Sequence, residues 1–116
     1  METYPVMAPE TPLEITVSDL LALKNENSVH TLLDVRELQE IAVCRLDPCL
    51  HIPMPDVPAS VDQLTSDRTL VVFCNHGMRS AQVVAWLRHN GFDNAIDLQG
   101  GIDRWALEID PTMPTY

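Results

Sequence analysis

The sequence predicts a three-layer α/β/α domain built on a mainly parallel sheet of five strands. Short apolar runs alternate with amphipathic segments along the chain, and most junctions between them hold Gly, Pro or Asn. This order implies βαβ units, whose right-handed crossovers place helices on both faces of a sheet. With 116 residues, 46% of them apolar, the chain has room for one domain with one core.

Five short runs rich in aliphatic and β-branched residues are the predicted strands. They lie at residues 15–17, 31–35, 50–53, 69–73 and 94–98. Residues 69–73, Thr-Leu-Val-Val-Phe, form the strongest of these runs. The compact run at residues 31–35 suits a strand that is buried on both faces.

The segments between and after these runs are the predicted helices. They lie at residues 18–27, 37–43, 57–64, 79–89 and 102–108. Ser18 is the expected N-cap of the first helix, and Pro58 suits the first turn of the third. Asn90-Gly91 is a typical stop after the fourth helix.

The N-terminal segment, residues 1–13, holds three prolines and little periodicity, which predicts an arm before a domain at residues 14–116. The chain starts without the basic and apolar stretches of a secretory signal. No apolar run approaches the roughly 18 residues that a membrane span needs. We therefore expect a cytoplasmic protein that does not associate with membranes.

The charge and cysteine content exclude several classes of partner. The net charge is -10 at pH 7, whereas nucleic acids and anionic lipids bind basic surfaces, so neither is an expected partner. The three cysteines include no Cys-x-x-Cys pair and the four histidines are scattered, so we expect no metal and no cofactor. An odd cysteine count also argues against a disulfide framework.

Cys74 is the candidate nucleophile because it directly follows the strongest predicted strand, where ligands of parallel sheets collect. The next helix begins near Arg79, and unpaired N–H groups at a helix start favour a thiolate. Gly77 allows the loop to curl inward, which forms an anion-binding nest. Arg79 adds a cation at the rim or braces the loop. His76 is an additional donor or an exposed loop residue, and Met78 packs or lines the entrance.

Four stretches, taken in order, resemble the rhodanese-like sulfurtransferase family. Residues 74–80, Cys-Asn-His-Gly-Met-Arg-Ser, are similar to its active-site loop. The other three are Leu-Leu-Asp-Val-Arg-Glu at residues 32–37, Leu-His-Ile-Pro-Met at residues 50–54, and residues 91–105 with their Gly-Gly-x-x-x-Trp ending. The likeness covers about residues 14–110 and implies a rhodanese-like domain. The ending at residues 110–116 resembles rhodanese domains fused behind sulfur-carrier-activating enzymes.

The resemblance implies a sulfur relay through Cys74, which maps onto the family's catalytic cysteine. Its thiolate attacks the outer sulfur of a small donor such as thiosulfate or a persulfide, and a thiol, cyanide or a protein acceptor then removes the sulfur. The persulfide is expected to be held by the N–H groups of loop residues Asn75, His76, Gly77, Met78 and Arg79.

Further residues near the predicted site have supporting or open roles. Asp34 and Arg36 lie at the carboxyl end of a predicted strand, and they either touch substrate or, as we favour, brace the site. Ser80 ends the loop motif and is a supporting residue. Cys44 and Cys49 are either a resolving thiol or, as we favour, small packing residues. Pro48 stands where the family usually has Gly, which predicts an altered turn.

Two alternative functions remain open at this stage. Phosphatases and arsenate reductases of this fold use Cys-x5-Arg loops, whereas four residues separate Cys74 from Arg79 here. The shorter loop suits a single sulfur atom better than a tetrahedral anion. The second alternative is a persulfide carrier or interaction module that acts only with a protein partner.

Overall fold

The five predicted strands form one sheet in the computed structural model, which describes residues 12–116. The strands are β1 (Glu14–Ile15), β2 (His30–Asp34), β3 (Leu50–His51), β4 (Thr69–Phe73) and β5 (Ala95–Leu98). Their order across the sheet is β1-β5-β4-β2-β3, and every pairing is parallel. The predicted fold class is confirmed, with a sheet that is entirely rather than mainly parallel.

Helices cover both faces of the sheet. They are α1 (Val17–Asn25), α2 (Leu38–Ile41), α3 (Met78–His89) and α4 (Gly101–Glu108), with 3₁₀ segments at Met54–Asp56 and Pro58–Gln63. Helices α1 and α4 contact each other on one face, whereas α3 contacts the first 3₁₀ segment on the other. Within residues 12–116, no helix is long and apolar enough to cross a membrane.

Strand register brings the predicted site to one edge of the sheet. Asp34 at the end of β2 is paired with Phe73 at the end of β4, so the chain leaves both strands at the same level. Asp97 of β5 is paired with Val72 on the other side of β4. The loops that follow β2, β4 and β5 therefore meet around Cys74, at the carboxyl edge where parallel sheets bind ligands.

The three cysteines lie in two different core clusters. Cys74 belongs to the cluster that contains Leu33, Val72 and Leu87. Cys44 belongs to the cluster on the other face of the sheet, and Cys49 packs against that cluster. Since neighbouring strand residues point to opposite faces, the sheet separates the two groups. This arrangement favours the packing interpretation of Cys44 and Cys49 over a resolving thiol.

The start of the first helix differs from the prediction. Thr16, not Ser18, is the N-cap, and its side chain accepts a hydrogen bond from the Asp19 N–H at 3.1 Å. The Asp19 carboxylate accepts one from the Thr16 N–H at 3.0 Å. This reciprocal pair is a capping box, which satisfies two backbone donors at once and so outcompetes a cap at Ser18.

The prolines and the N-terminal segment account for the other local differences. The predicted third helix is 3₁₀ rather than α, with Pro58 in its first turn. The turn expected to be altered at Pro48 contains a cis Asp47–Pro48 peptide bond. The predicted arm lies mostly at residues 1–11, outside the described residues, and Leu13 already accepts a hydrogen bond from the Asp97 N–H at 2.8 Å.

Candidate active site

The thiol of Cys74 lies at the carboxyl end of β4 and is surrounded by hydrogen-bond donors. The Gly77 N–H points at Sγ from 3.0 Å and the Ser80 N–H from 3.5 Å. The Ser80 hydroxyl lies 3.4 Å from Sγ. Cys74 is only 1% exposed, so little water competes with these donors. N–H groups converging at a helix start favour a negatively charged sulfur.

Gly77 gives the loop its inward curl. Its φ of +109° is in the left-handed region, and it serves as the N-cap of α3. A residue with a side chain is strained in this conformation, which explains the use of glycine. The curl turns the Gly77 N–H toward the sulfur, as the sequence analysis predicts for this position.

The first turn of α4 holds the backbone of the Cys74 loop from the other side. The Ile102 N–H donates to the Cys74 carbonyl at 2.9 Å, and the Asp103 N–H donates to the Asn75 carbonyl at 3.0 Å. A Cβ at Gly101 would lie 2.4 Å from both carbonyl oxygens, so only glycine allows this approach. Gly101, the second glycine of the motif, is therefore the point of close contact with the Cys74 loop.

Behind the sulfur, Ser80 connects Cys74 to a buried carboxyl group. The Ser80 hydroxyl donates a hydrogen bond to Asp97 Oδ1. Burial raises the pKa of Asp97 to about 6, the Ser80 hydrogen bond opposes this rise, and the Glu14 carboxylate adds to it. Ser80 thus contacts Sγ directly, and Asp97 reaches it through Ser80.

Asp34 and Arg36 form an ion pair with both side chains 0% exposed. Arg36 Nη2 donates to Asp34 Oδ2 at 2.7 Å and to the Cys44 carbonyl at 2.8 Å. Burial acts against the Arg36 charge, but hydrogen bonds with Asp34 and Tyr116 outweigh it and hold the guanidinium pKa above its ordinary value. These contacts fit the bracing role rather than contact with substrate.

Arg79 is not a free cation at the rim, because Glu40 binds it in a bidentate pair. Its Nη1 and Nη2 donate to Glu40 Oε1 and Oε2 at 2.7 and 2.8 Å. Arg79 lowers the pKa of Glu40 to about 2. The Tyr116 hydroxyl donates to Glu40 at 2.7 Å and accepts from Arg36 Nη1 at 3.0 Å. One chain of contacts therefore joins the buried Arg36 pair to the Cys74 loop.

The remaining loop side chains differ in exposure. His76 is 65% exposed, with Nε2 3.6 Å from Asp103 Oδ2. Asn75 is largely buried, and its side-chain amide lies 3.3 Å from His76 Nδ1. Met78 is 77% exposed, which fits the entrance interpretation and not the packing one.

Sequence reasoning did not single out Asp97, Glu40 or Tyr116. Asp97 had a signal, since a lone acid lies among the apolar residues of a buried strand. Glu40 had a weaker one, because it lies three residues after Glu37 in a capping-box arrangement. Nothing in the local sequence pattern marks Tyr116.

Fold and site together define a small α/β domain with a buried cysteine thiol in a cradle of backbone N–H groups. The sequence matches the profile of the rhodanese-like domain over residues 16–108. Because the match covers most of the chain, the protein belongs to the rhodanese-like domain family. The family expected from the sequence motifs is thereby confirmed.

Individual relatives share much of the sequence. A sulfurtransferase of Allochromatium vinosum is 36% identical over 75 residues, covering 65% of this chain and 70% of the relative. The adenylyltransferase and sulfurtransferase MOCS3-2 of Zea mays is 33% identical over 109 residues, covering 88% of this chain and 23% of the relative. The chain therefore spans about a quarter of the length of such plant relatives.

A solved structure shows the same fold. A rhodanese-related protein of Thermoplasma volcanium superposes with a TM-score of 0.75 at 32% identity. The superposition covers 84% of this chain and 94% of that one. The two folds therefore correspond over nearly the whole of the smaller domain.

Replacing Asp34 by Asn is predicted to destabilise the protein strongly. The substitution leaves the Arg36 charge buried without its counter-ion, and breaking a buried pair in this way costs about 3–5 kcal/mol. Urea unfolding measures the change. The control is Glu108→Gln, which removes the half-exposed Arg104 pair and should cost less than about 1 kcal/mol. Equal effects of the two substitutions would contradict the bracing role.

Replacing Gly101 by Ala is predicted to push the α4 turn away from the Cys74 loop. The added Cβ meets two carbonyl oxygens, so we expect a loss of about 2–4 kcal/mol from strain and overpacking. Gly91→Ala is a matched control, because φ is +95° there but nothing lies within 4 Å. The Gly91→Ala variant should lose about 1–2 kcal/mol of its free energy of unfolding, from backbone strain alone. Thermal unfolding compares the two, and a loss at Gly101 no larger than at Gly91 contradicts the close-contact argument.

The Glu40–Arg79 pair is predicted to make stability depend on acid pH. The folded-state pKa of Glu40, about 2, lies below the ordinary 4.5. The contribution of the pair to the free energy of unfolding is therefore complete above pH 4.5 and is lost as pH falls toward 2. Because Arg79 is partly exposed, we expect a contribution of about 1 kcal/mol. Glu40→Gln should therefore be less stable than wild type at pH 7 and equally stable near pH 2. Denaturant unfolding across this range tests the expectation, and a constant difference at all pH values refutes it.

Proposed function

We propose that this protein is a sulfurtransferase in which Cys74 accepts a sulfane sulfur from a donor and passes it to a nucleophilic acceptor. The observation that carries the proposal is the position of Sγ, 3.0 Å from the Gly77 N–H and beside Ser80, at the start of α3. This cradle suits a nucleophilic thiolate and an anionic persulfide formed on it. The donor is thiosulfate or a persulfide.

The first half-reaction loads the sulfur. The Cys74 thiolate attacks the outer sulfur of thiosulfate, a new S–S bond forms, and the original S–S bond breaks. Sulfite leaves with the electron pair of the broken bond, and the persulfide keeps one negative charge. The loop N–H groups of residues 75–79 stabilise this charge, as backbone donors do in other anion cradles.

The second half-reaction releases the sulfur. A thiolate, cyanide or a thiol of a protein acceptor attacks the outer sulfur of the persulfide. The persulfide S–S bond breaks and Cys74 leaves as a thiolate, so the enzyme returns to its starting state. Two half-reactions through a covalent intermediate give ping-pong kinetics. No step requires a cofactor.

The names of relatives support sulfur transfer but not every activity in those names. The Allochromatium vinosum relative is named a sulfurtransferase, and this chain covers 70% of it. The Zea mays relative also carries the name of an adenylyltransferase, but this chain matches only 23% of its length. We therefore propose sulfur transfer alone, to a thiol or a protein acceptor, in the cytoplasm.

Intact mass spectrometry tests the proposal. After incubation with thiosulfate, the wild-type protein should gain the mass of about one sulfur atom, and cyanide or dithiothreitol should reverse the gain. Cys74→Ser should gain nothing. Cys49→Ser is the matched control, since Cys49 packs on the other face of the sheet, and it should load like wild type.

The outcomes separate the possible donors. A gain with a small persulfide but not with thiosulfate would identify a persulfide-fed carrier. The absence of a gain with either donor, or an equal gain in Cys74→Ser, would overturn the proposal.

A further inference from the structure

A continuous hydrogen-bond chain leads from the Cys74 sulfur into the protein. Sγ lies 3.4 Å from the Ser80 hydroxyl, which in turn is hydrogen-bonded to the Asp97 carboxylate. Ser80 is fully buried and Asp97 is 6% exposed. The sulfur-transfer cycle described above uses the loop side of Sγ and leaves this rear chain without a role.

The far end of the chain borders the surface. Asp97 lines an open pocket together with Pro12, Leu13, Glu14 and Ala81. This pocket lies beside β1 and α3. A proton that reaches Asp97 therefore has a route to solvent.

The charged groups around Asp97 are few. Glu14 faces it from β1, Ser80 faces it from α3, and the Cys74 thiol lies beyond Ser80 at the end of β4. Arg88 of α3 donates instead to the carbonyls of Ala95 and Pro12. Within residues 12–116, the Asp97 carboxylate takes part in no ion pair. In this part of the chain, no cation therefore holds Asp97 in its ionised form.

The Ser80 hydroxyl has a single proton, so it can donate either to Asp97 or to Cys74, but not to both at once. When Asp97 is ionised, the hydroxyl donates to it and its oxygen can accept the Cys74 S–H. When Asp97 is protonated, the carboxyl donates to Ser80, and the hydroxyl turns to donate to a Cys74 thiolate. The two arrangements differ only in whether the shared proton is held at the Cys74 end or at the Asp97 end of the chain of contacts.

We propose that Ser80 and Asp97 form a proton relay for Cys74, in which the thiol proton passes through the Ser80 hydroxyl to the Asp97 carboxylate. The S–H bond breaks, its electron pair stays on sulfur, and one O–H bond forms at Asp97. No oxidant or reductant is involved. The proton then leaves to solvent through the pocket beside Glu14. This proposal rests on the proposed role of Cys74 as the nucleophile.

The environment of Asp97 fits the task. Its pKa, raised by burial to about 6, lets it hold a proton near neutral pH, where a carboxyl group at the ordinary 3.8 would release it. An acceptor whose pKa lies near the working pH is the most effective partner in proton transfer. Asp97 acts on the sulfur only through Ser80 and is therefore a positioning residue.

The pH profile of Cys74 alkylation by iodoacetamide tests the relay without any sulfur donor. Peptide mass spectrometry follows Cys74 separately from Cys44 and Cys49. The wild-type rate should rise in two steps, the first near pH 6, where the Asp97 carboxylate becomes able to accept the thiol proton, and the second at higher pH, where the proton leaves directly to solvent. Asp97→Asn should show a single step. Asp93→Asn, an exposed substitution outside the chain of contacts, should keep both steps.

Ser80 variants distinguish a proton relay through the hydroxyl from a direct electrostatic effect of the Asp97 charge on the Cys74 sulfur. Ser80→Ala should show one step and a rate about tenfold lower at pH 7, since a charged sulfur loses a hydrogen-bond donor. Ser80→Thr restores the hydroxyl and should restore the second step. Two steps retained in folded Ser80→Ala would show that Asp97 acts by its charge alone and would overturn the relay.

The result with Asp97→Asn decides the proposal even where Ser80→Ala does not fold. A profile identical to wild type would refute the relay. The sulfur-loading experiment with thiosulfate is read separately. A two-step alkylation profile that collapses in Asp97→Asn, in a protein that loads no sulfur from thiosulfate or from a small persulfide, would support the relay and refute sulfur transfer. The reverse pattern would refute the relay and support sulfur transfer.

Discussion

The site depends on the backbone contact between the first turn of α4 and the Cys74 loop. The N–H groups of Ile102 and Asp103 donate hydrogen bonds to the carbonyls of Cys74 and Asn75. These carbonyls therefore point toward α4 and away from the sulfur. Peptide groups are planar, and fixing the carbonyls limits how the following N–H groups can be oriented. The cradle around Sγ is thus made by two helix starts together, with α3 supplying donors and α4 holding the loop. Gly101 is the residue that makes this approach possible.

A second set of contacts holds the neighbouring loops in place. The buried Arg36 joins β2 to the Cys44 carbonyl, and Tyr116 connects Arg36 to the Glu40–Arg79 pair. Each ion in this set has a partner, which is the condition under which buried charges are tolerated. The Cys74 loop is therefore tied both to the sheet edge and to the C-terminal segment. These contacts hold its shape without a ligand, and pre-organisation of this kind lowers the cost of ligand binding.

The sequence predicts those parts that local pattern determines. The order of the five strands along the chain, the parallel sheet and the Cys74–Ser80 loop can all be predicted from short segments. The structure contains each of them. The predicted helix cap at Ser18 is wrong, because Thr16 and Asp19, three residues apart, form a capping box instead. Tyr116 and Arg36 are 80 residues apart, and Glu40 and Arg79 are 39 apart. Such contacts depend on how the loops are packed, and no periodicity in one sequence records them.

The pairing of the two arginines has a consequence for selectivity. Within residues 12–116, two arginines near the loop, Arg36 and Arg79, are each paired with a carboxylate. An anion at Cys74 is therefore met by short-range N–H dipoles and not by a spare positive charge. Dipoles of this kind act within one helical turn, so they stabilise charge on an atom at the centre of the loop and contribute little to charge farther out. A tetrahedral oxyanion, including the sulfonate part of thiosulfate, would have to displace Glu40 to gain a counter-ion, whereas a single added sulfur would not. The loop thereby stabilises charge on a sulfur atom at its centre more than charge on oxygen atoms farther out.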